Sequence, residues 1–414
     1  MSQVSRVLML TASWPPVARV GVRRPLRIAR RLAEYGWQPS VMTPTPNAIF
    51  RQMPPLDQSL STPDIPTFRI PALIPSTRVA RLLARLPRPI GSVLQTAMAQ
   101  YLLPDQYPEW TRAAVRAARR LDGFHAVWVT GGPFGMFYVG AAVADALQLP
   151  LVLDYRDPWT SDHQPRRMPG APTLEALRNY EAKLLQRANG VAYVNQDMLT
   201  LNMRHFGQPK GAEWAVIPNG FAPEDCPDVE PHSYQRPTVI YAGSCYASRS
   251  MLPVLRALKA LAQLGRPRPQ IMMFGELDAP ARAFLETASL DDDFHCGSRI
   301  SAQEITARMR GADALLLIIG DSHRTALSGK IFDYLQVQRP ILGVGPANSS
   351  AAQLLADTGT GVWATDEATI MQQLEAIAQR TLTYAPRPAR IRPYSADAMT
   401  ERTVALLEAV RRGT

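Results

Sequence analysis

Short runs of β-branched and other apolar residues alternate with longer amphipathic stretches along the whole chain. RVLMLTA (6–12) has the make-up of a buried strand, followed by a Pro-containing loop, the basic helix VRRPLRIARRLAEYG (22–36) and a second strand, QPSVMT (38–43). EWTRAAVRAARRL (109–121) reads as a helix, and AVWVT (126–130), PLVLDY (150–155), GVAYVN (190–195) and WAVIPNG (214–220) as further strands. A second alternation starts at TVIYAG (238–243). It runs through a helix at 250–263, QIMMFG (270–275), a helix near 280–289, ALLLIIG (314–320), ILGVG (341–345) and GVWAT (361–365). Apolar strands regularly separated by helices predict parallel sheets covered on both faces, an α/β fold of two doubly wound, Rossmann-like halves. Ligands of such sheets bind beyond the carboxyl ends of the strands.

Two segments depart from the alternation. Residues 44–76 are punctuated by eight prolines and predict an irregular surface excursion. The stretch between Asp122 and Asp145 holds no formally charged residue. Its centre, Thr130-Gly131-Gly132-Pro133, is a turn, so strand, turn and helix replace a membrane span.

At 414 residues, 46% hydrophobic and 19% charged, the chain suits two globular domains, each with its own core. Cys226, Cys245 and Cys296 are scattered and odd in number, which fits a reducing cytoplasm and offers no zinc motif. MSQVSRVLMLTASWPP lacks a signal peptide's cleavage pattern. Charge changes the picture more. Residues 1–130 hold 17 arginines, no lysine and six acids, a net +11, while the rest is near neutral with 28 basic and 29 acidic residues. No nucleic-acid-binding motif accompanies this excess, so a membrane surface is the expected anionic partner. Arg78, Arg81, Arg85 and Arg88 recur at three- and four-residue spacing among leucines in a helical segment, 78–103. That pattern suits an interfacial helix or, equally plainly, a helix with a solvated arginine face.

The stretch ALSGKIFDYLQVQRPILGVG (326–345) carries the clearest candidate chemistry. Lys330 stands at the mouth of a predicted helix, with Asp333 three residues on. Helix N-termini expose N–H groups and positive partial charge that suit phosphate, and the lysine adds a cation. The alternative is an ordinary helix start with a solvated lysine. Gly-x-x-x-x-Gly-Lys-Ser/Thr is absent, so this is not a P-loop.

The ordered set "TGGPF", "LDYRDPW", "VIPNGF", "YAGS" and "SGKIFDYL…RPIL" resembles the family 4 glycosyltransferases of bacterial polysaccharide assembly, over nearly the whole chain. The resemblance implies a GT-B fold, two Rossmann-like domains facing a cleft. An acceptor domain would cover 1–221, a linker 222–237 and a nucleotide-sugar domain 238–394, with a helix at 395–414 packing back on the first. It implies retaining, metal-independent transfer from a nucleotide-diphosphate sugar, with no cofactor, to a glycan acceptor often carried on a polyprenyl diphosphate. The enzyme would work at the inner face of the cell membrane.

Aligning "RPIL" with the family's donor strand places its two acids at Thr325 and Asp333, the latter toward the ribose. Lys330 and the amides of Leu327 and Ser328 suit the diphosphate, as do Gly243, for close backbone approach, and Arg249, otherwise a solvated helix-start arginine. Gly21 in "ARVGVRR" matches the family's N-terminal loop, with Arg23 or Arg24 as solvated helix residues. The place of a catalytic His in some relatives reads Gly131-Gly132-Pro133, and His125 is expected at the surface. Asp154 and Asp157 are the nearest strand-end acids, placed to orient an acceptor hydroxyl with Arg156 pairing internally. The alternative is an Asp–Arg pair that holds the loop, with Trp159 in the core. A GT-B-fold nucleotide-sugar epimerase and an inactive GT-B binding partner are the rival readings.

Overall fold

The computed structural model describes residues 4–46, 56–57, 62, 64–71, 87, 108–161, 174–208, 211–246, 248–321, 324 and 327–413. Arg78, Arg81, Arg85, Arg88 and Thr325 lie outside the described residues. The chain separates into two compact units, 1–218 with 396–414, and 219–395.

The first unit holds a seven-stranded sheet of order β3-β2-β1-β4-β5-β6-β7, all pairings parallel. Its strands are β1 (Ser5–Leu10), β2 (Trp37–Pro44), β3 (Thr67–Ile70), β4 (Ala126–Thr130), β5 (Leu151–Tyr155), β6 (Gly190–Tyr193) and β7 (Glu213–Val216). The central strands β4, β5 and β6 are buried along their length, as a sheet covered on both faces requires. β3 corrects the expectation of an irregular 44–76. It is a short edge strand, where flanking prolines cost no ladder bonds. The helix Ala396–Arg412 buries Met399, Leu406, Leu407 and Val410 in this unit. Gly190 makes room for it, since a Cβ there would meet Val410 at 2.8 Å. Trp37 Nε1 donates to Glu408 at 2.8 Å, and Arg31 pairs with Asp397 at 2.7 Å.

The second unit holds a six-stranded parallel sheet of order β10-β9-β8-β11-β12-β13. The strands are β8 (Thr238–Ala242), β9 (Gln270–Phe274), β10 (Phe294–Gly297), β11 (Ala314–Ile318), β12 (Ile341–Val344) and β13 (Gly361–Ala364). β10 was not expected from its sequence; FHCG is four residues long, and His295 and Cys296 are exposed. Residues 222–237 carry one 3-10 turn at Pro223–Asp225. Where the chain enters and leaves this unit its two ends pair, Phe221 N donating to Tyr394 O at 2.9 Å. Among the described residues no helix is long and apolar enough to cross a membrane.

Candidate functional site

In the second unit the strands β8, β9 and β12 run straight into Gly243, Gly275 and Gly345. Two of these glycines shape the candidate site. Gly243 has φ +132°, and a Cβ there would lie 2.5 Å from both Cε and Nζ of Lys330. Gly275 has φ +153°, and a Cβ there would strike the Gly243 carbonyl. Both positions exclude a side chain so that the ladder can continue, with Gly243 N donating to Phe274 O and Gly275 N to Gly297 O.

Lys330 is the second residue of the helix Gly329–Val337. It is half-buried, not a mobile surface charge: its side chain crosses Gly243, and Nζ sits 4.0 Å from the Tyr241 ring centroid. Among the described residues no carboxylate pairs with it. Burial lowers its pKa to about 8, and the charges of Arg249 and Arg299 push the same way. Ser328 caps the helix through its carbonyl, which accepts from Ile331 N at 3.0 Å, and its side chain makes no cap bond. The helix is fixed by Tyr334, whose buried hydroxyl donates to Leu316 O at 3.0 Å and accepts from Ala242 N at 3.2 Å. Asp333, one turn after Lys330, is half-buried, and Leu327 and Ser328 are likewise half-buried.

Arg249 lies in the loop that follows β8. Its Nη1 donates to the Tyr246 hydroxyl at 3.0 Å and its guanidinium stands over the Tyr246 ring. Its buried Nε has no hydrogen-bond partner among the described residues, and a buried donor ordinarily has one. Gly320, just past β11, would clash with Ser248 of this loop if it carried a Cβ, so the loop lies directly on the sheet edge. Arg299 was not anticipated. It follows β10 as Lys330 and Arg249 follow their own strands, and the signal was the short run ending in Gly297. The result is three cations at one sheet edge.

In the first unit the residues after β1, β4 and β5 are tied by Arg156. Its Nε donates to Gly131 O at 2.7 Å, Nη1 to Gly21 O at 2.8 Å and Nη2 to Gly132 O at 2.8 Å. A Cβ at Gly132, where φ is +85°, would come within 2.8 Å of that guanidinium. Arg156 therefore pairs with carbonyls and not with Asp154. Asp154 is fully buried and accepts from Arg24 at 2.7, 3.0 and 3.1 Å. That corrects two expectations. Arg24 is buried, not solvated, because its guanidinium is held by the Asp154 carboxylate of β5, and it also donates to Pro218 O at 3.1 Å. Asp154, enclosed by that pair, does not face an acceptor. Asp157 is exposed beyond β5 and acts on the charge of Arg156. His125 begins the other end of β4, where its Nδ1 accepts from Arg6 N at 3.1 Å.

Trp159 stacks on Phe134 with centroids 5.1 Å apart and planes 8° apart, both half-buried at the same edge. Beneath them Glu181, a residue sequence reasoning passed over, is fully buried. It accepts from Thr160 N at 3.1 Å, Thr160 Oγ1 at 2.5 Å and Asn202 Nδ2 at 3.2 Å, and burial raises its pKa. Among the described residues no group of His, Cys, Asp and Glu side chains is arranged to hold a metal ion.

Residues 21–220 match the family described as glycosyl transferase 4-like domain. Among curated proteins no relative matches the sequence. Solved structures match over the full length at low identity. A glycosyltransferase from Rickettsia africae has a TM-score of 0.61 at 10% identity, covering 99% of this chain and 99% of that one. Sucrose-phosphate synthase from Thermosynechococcus elongatus gives 0.59 at 15%, covering 99% and 96%. HepE from Anabaena, solved with UDP-glucose, gives 0.59 at 13%, covering 98% and 99%. The two parallel-sheet units and these neighbours show the GT-B fold.

Proposed function

We propose that the chain is a nucleotide-sugar-dependent glycosyltransferase that performs retaining transfer to a lipid-linked glycan in surface polysaccharide assembly, a reading supported by its GT-B fold and by the match of residues 21–220 to the glycosyl transferase 4-like domain. The observation that carries the donor side is Lys330 held across Gly243 with no carboxylate partner among the described residues, beside Arg249 and Arg299. A diphosphate supplies the counter-charge this arrangement lacks, and the N-terminus of the helix Gly329–Val337 adds N–H donors. HepE's complex with UDP-glucose supports a uridine nucleotide as the first donor to test.

The chemistry follows from charge. As the anomeric C–O bond breaks, negative charge grows on the departing diphosphate and positive charge on the sugar. Lys330 and Arg249 stabilise the former where it develops, without a metal or other cofactor. The acceptor oxygen bonds to the anomeric carbon on the face the diphosphate leaves, and its proton passes to the leaving phosphate oxygen. Asp333 serves the donor ribose; Thr325, at the family's other acid position, cannot reproduce a carboxylate. In the first unit Asp157 orients the acceptor hydroxyl, on loops that Arg156 fixes through Gly21, Gly131 and Gly132.

The basic excess of residues 1–130 supports work at the anionic inner face of a cell membrane, with Arg78, Arg81, Arg85 and Arg88 as the contact. The experiment is transfer from a panel of nucleotide sugars to polyprenyl-diphosphate glycans, with co-sedimentation on anionic and neutral vesicles. Lys330→Ala and Arg249→Ala should each lower turnover by about tenfold to a thousandfold. Free epimer without transfer, or full activity in both variants, removes the reading. Absence of vesicle binding at low salt removes the membrane part alone.

A further inference from the structure

A cavity of about 530 Å³ lies wholly within the second unit, at the sheet edge opposite Lys330. The strands are parallel, so the helix Gly329–Val337, which carries Lys330 in its first turn at their carboxyl ends, finishes at their amino ends. Nine residues separate the two places by roughly 13 Å. The cavity is walled by the end of that helix, by Thr360 just before β13, and by the segments through which the chain enters and leaves the unit.

Its lining has a definite chemistry. Arg310, Arg339 and Arg392 contribute guanidinium groups, Phe221 and Tyr384 contribute rings, and no aspartate or glutamate lines it among the described residues. Arg310 already has partners, donating to Val229 O at 2.7 Å and pairing with the exposed Asp228 at 3.2 Å. Arg339 differs. It follows Gln338, the C-cap of the helix, where a guanidinium ordinarily donates to the last helical carbonyls. Here its side chain makes no hydrogen bond or ion pair among the described residues. It stands close enough to Tyr384 to ease that phenol's ionisation, which burial opposes. Arg339 opens the "RPIL" stretch, and the transfer reaction gives it no task.

We propose that this cavity is a second binding site, for a phosphorylated small molecule whose phosphate pairs with Arg339 and whose ring or apolar body packs on Tyr384 and Phe221. The volume falls in the range of small-ligand pockets, about 300–1,000 Å³. The Arg339 guanidinium, with no carboxylate partner among the described residues, favours an anion, and the planar fork of arginine matches phosphate bidentately. The site is separate from the donor diphosphate site, since the cations there stand at the other edge of the sheet.

The test uses the full chain, with glucose 6-phosphate, glycerol 3-phosphate and inorganic pyrophosphate as probes and glucose as the neutral control. Calorimetry and thermal unfolding are run with and without saturating UDP. At least one phosphorylated probe should bind saturably, raise the melting temperature in the presence of UDP, and leave glucose without effect. Arg339→Gln should weaken that binding at least tenfold while UDP binding and sugar transfer keep their wild-type values. Tyr384→Ala should weaken the sugar phosphate more than pyrophosphate. The proposal is overturned if no probe binds saturably, if UDP competes every probe away, or if binding survives Arg339→Gln unchanged.

Discussion

The ammonium of Lys330 stands 4.0 Å from the centroid of Tyr241 and rests across Gly243, where no side chain fits. Gly243→Ala would place a methyl group 2.5 Å from Lys330 Nζ, in a backbone conformation L residues rarely adopt. The lysine is the flexible partner, so it is displaced first. UDP affinity should fall about tenfold, equivalent to roughly 1.4 kcal/mol. The melting temperature should move much less than for Gly275→Ala, whose methyl group meets the rigid Gly243 backbone. Titration calorimetry beside thermal melts separates the two effects; unchanged UDP affinity in Gly243→Ala contradicts the placement.

Lys330 also sets a pH dependence. With its pKa lowered to about 8 by burial and neighbouring cations, the free site starts to lose its charge above that pH. A bound diphosphate raises the pKa again, so binding takes up a proton. Affinity for UDP should therefore be nearly flat from about pH 7, where its terminal phosphate is largely ionised, to about pH 8, and fall by up to about tenfold per pH unit above it. Lys330→Arg should abolish the slope. The stability sign is opposite. The unfolded lysine holds its proton up to its ordinary pKa of 10.5, so this group's contribution to stability rises with pH between about 8 and 10.5.

The Arg24–Asp154 pair is enclosed, with relative exposures of 4% and 0%. Removing one member strands a buried charge, which costs about 3–5 kcal/mol. Asp154→Ala should show that loss in denaturant melts. The double variant Arg24→Met with Asp154→Leu should recover most of it, because neither charge then remains. Equal losses in single and double variants would show that packing, not charge, is at stake.

Arg156→Lys keeps the charge and loses the planar fork that reaches three carbonyls. The loops after β1 and β4 then lose their shared anchor. Acceptor KM should rise and kcat/KM should fall about tenfold or more, while UDP binding to the second unit is unchanged. A drop in UDP affinity equal to the drop in kcat/KM would reassign Arg156 to the donor.

How much of this was legible beforehand depends on range along the chain. AVWVT and TVIYA are built of apolar, aromatic and β-branched residues, and both strands fall where the sequence places them. The helix beginning at Gly329 was legible from Ser-Gly-Lys followed by an amphipathic run. β3 and β10 were not, since four residues among prolines, or bearing His and Cys, carry no apolar period. Arg24 was misread because the five arginines of "RRPLRIARR" all fall within about 120° of the helix surface, which reads as a single solvated face. Only a partner 130 residues away shows that Arg24 is buried. Tyr334, too, reads as ordinary core until its hydroxyl is seen joining β8 to β11.

Glu181 offers a test of the polar core beneath Phe134 and Trp159. Its carboxylate accepts from Thr160 twice and from Asn202, yet burial still raises its pKa above the ordinary 4.5. For an acid the raised value means that the folded state binds the proton more tightly than the unfolded chain. Its contribution to stability therefore falls as pH rises from about 4.5 through the folded pKa, and at neutral pH the ionised group is a cost. Glu181→Gln removes that cost while keeping the shape. The new amide oxygen can accept from Thr160, and its NH₂ can donate to Asn202 once that side-chain amide turns over, bringing Oδ1, which has no partner among the described residues, to where Nδ2 now donates. Glu181→Gln should thus be as stable as the parent or more so at pH 7, and should lack the parent's loss of stability between about pH 4.5 and neutrality. Glu181→Ala, which leaves the Thr160 and Asn202 donors unpaired, should be destabilised at every pH by about 1–3 kcal/mol for each group stranded. Denaturant melts of the three proteins from pH 4.5 to 8 decide it. A Gln variant destabilised at pH 7 as much as the Ala variant would mean that the charge itself holds the network together.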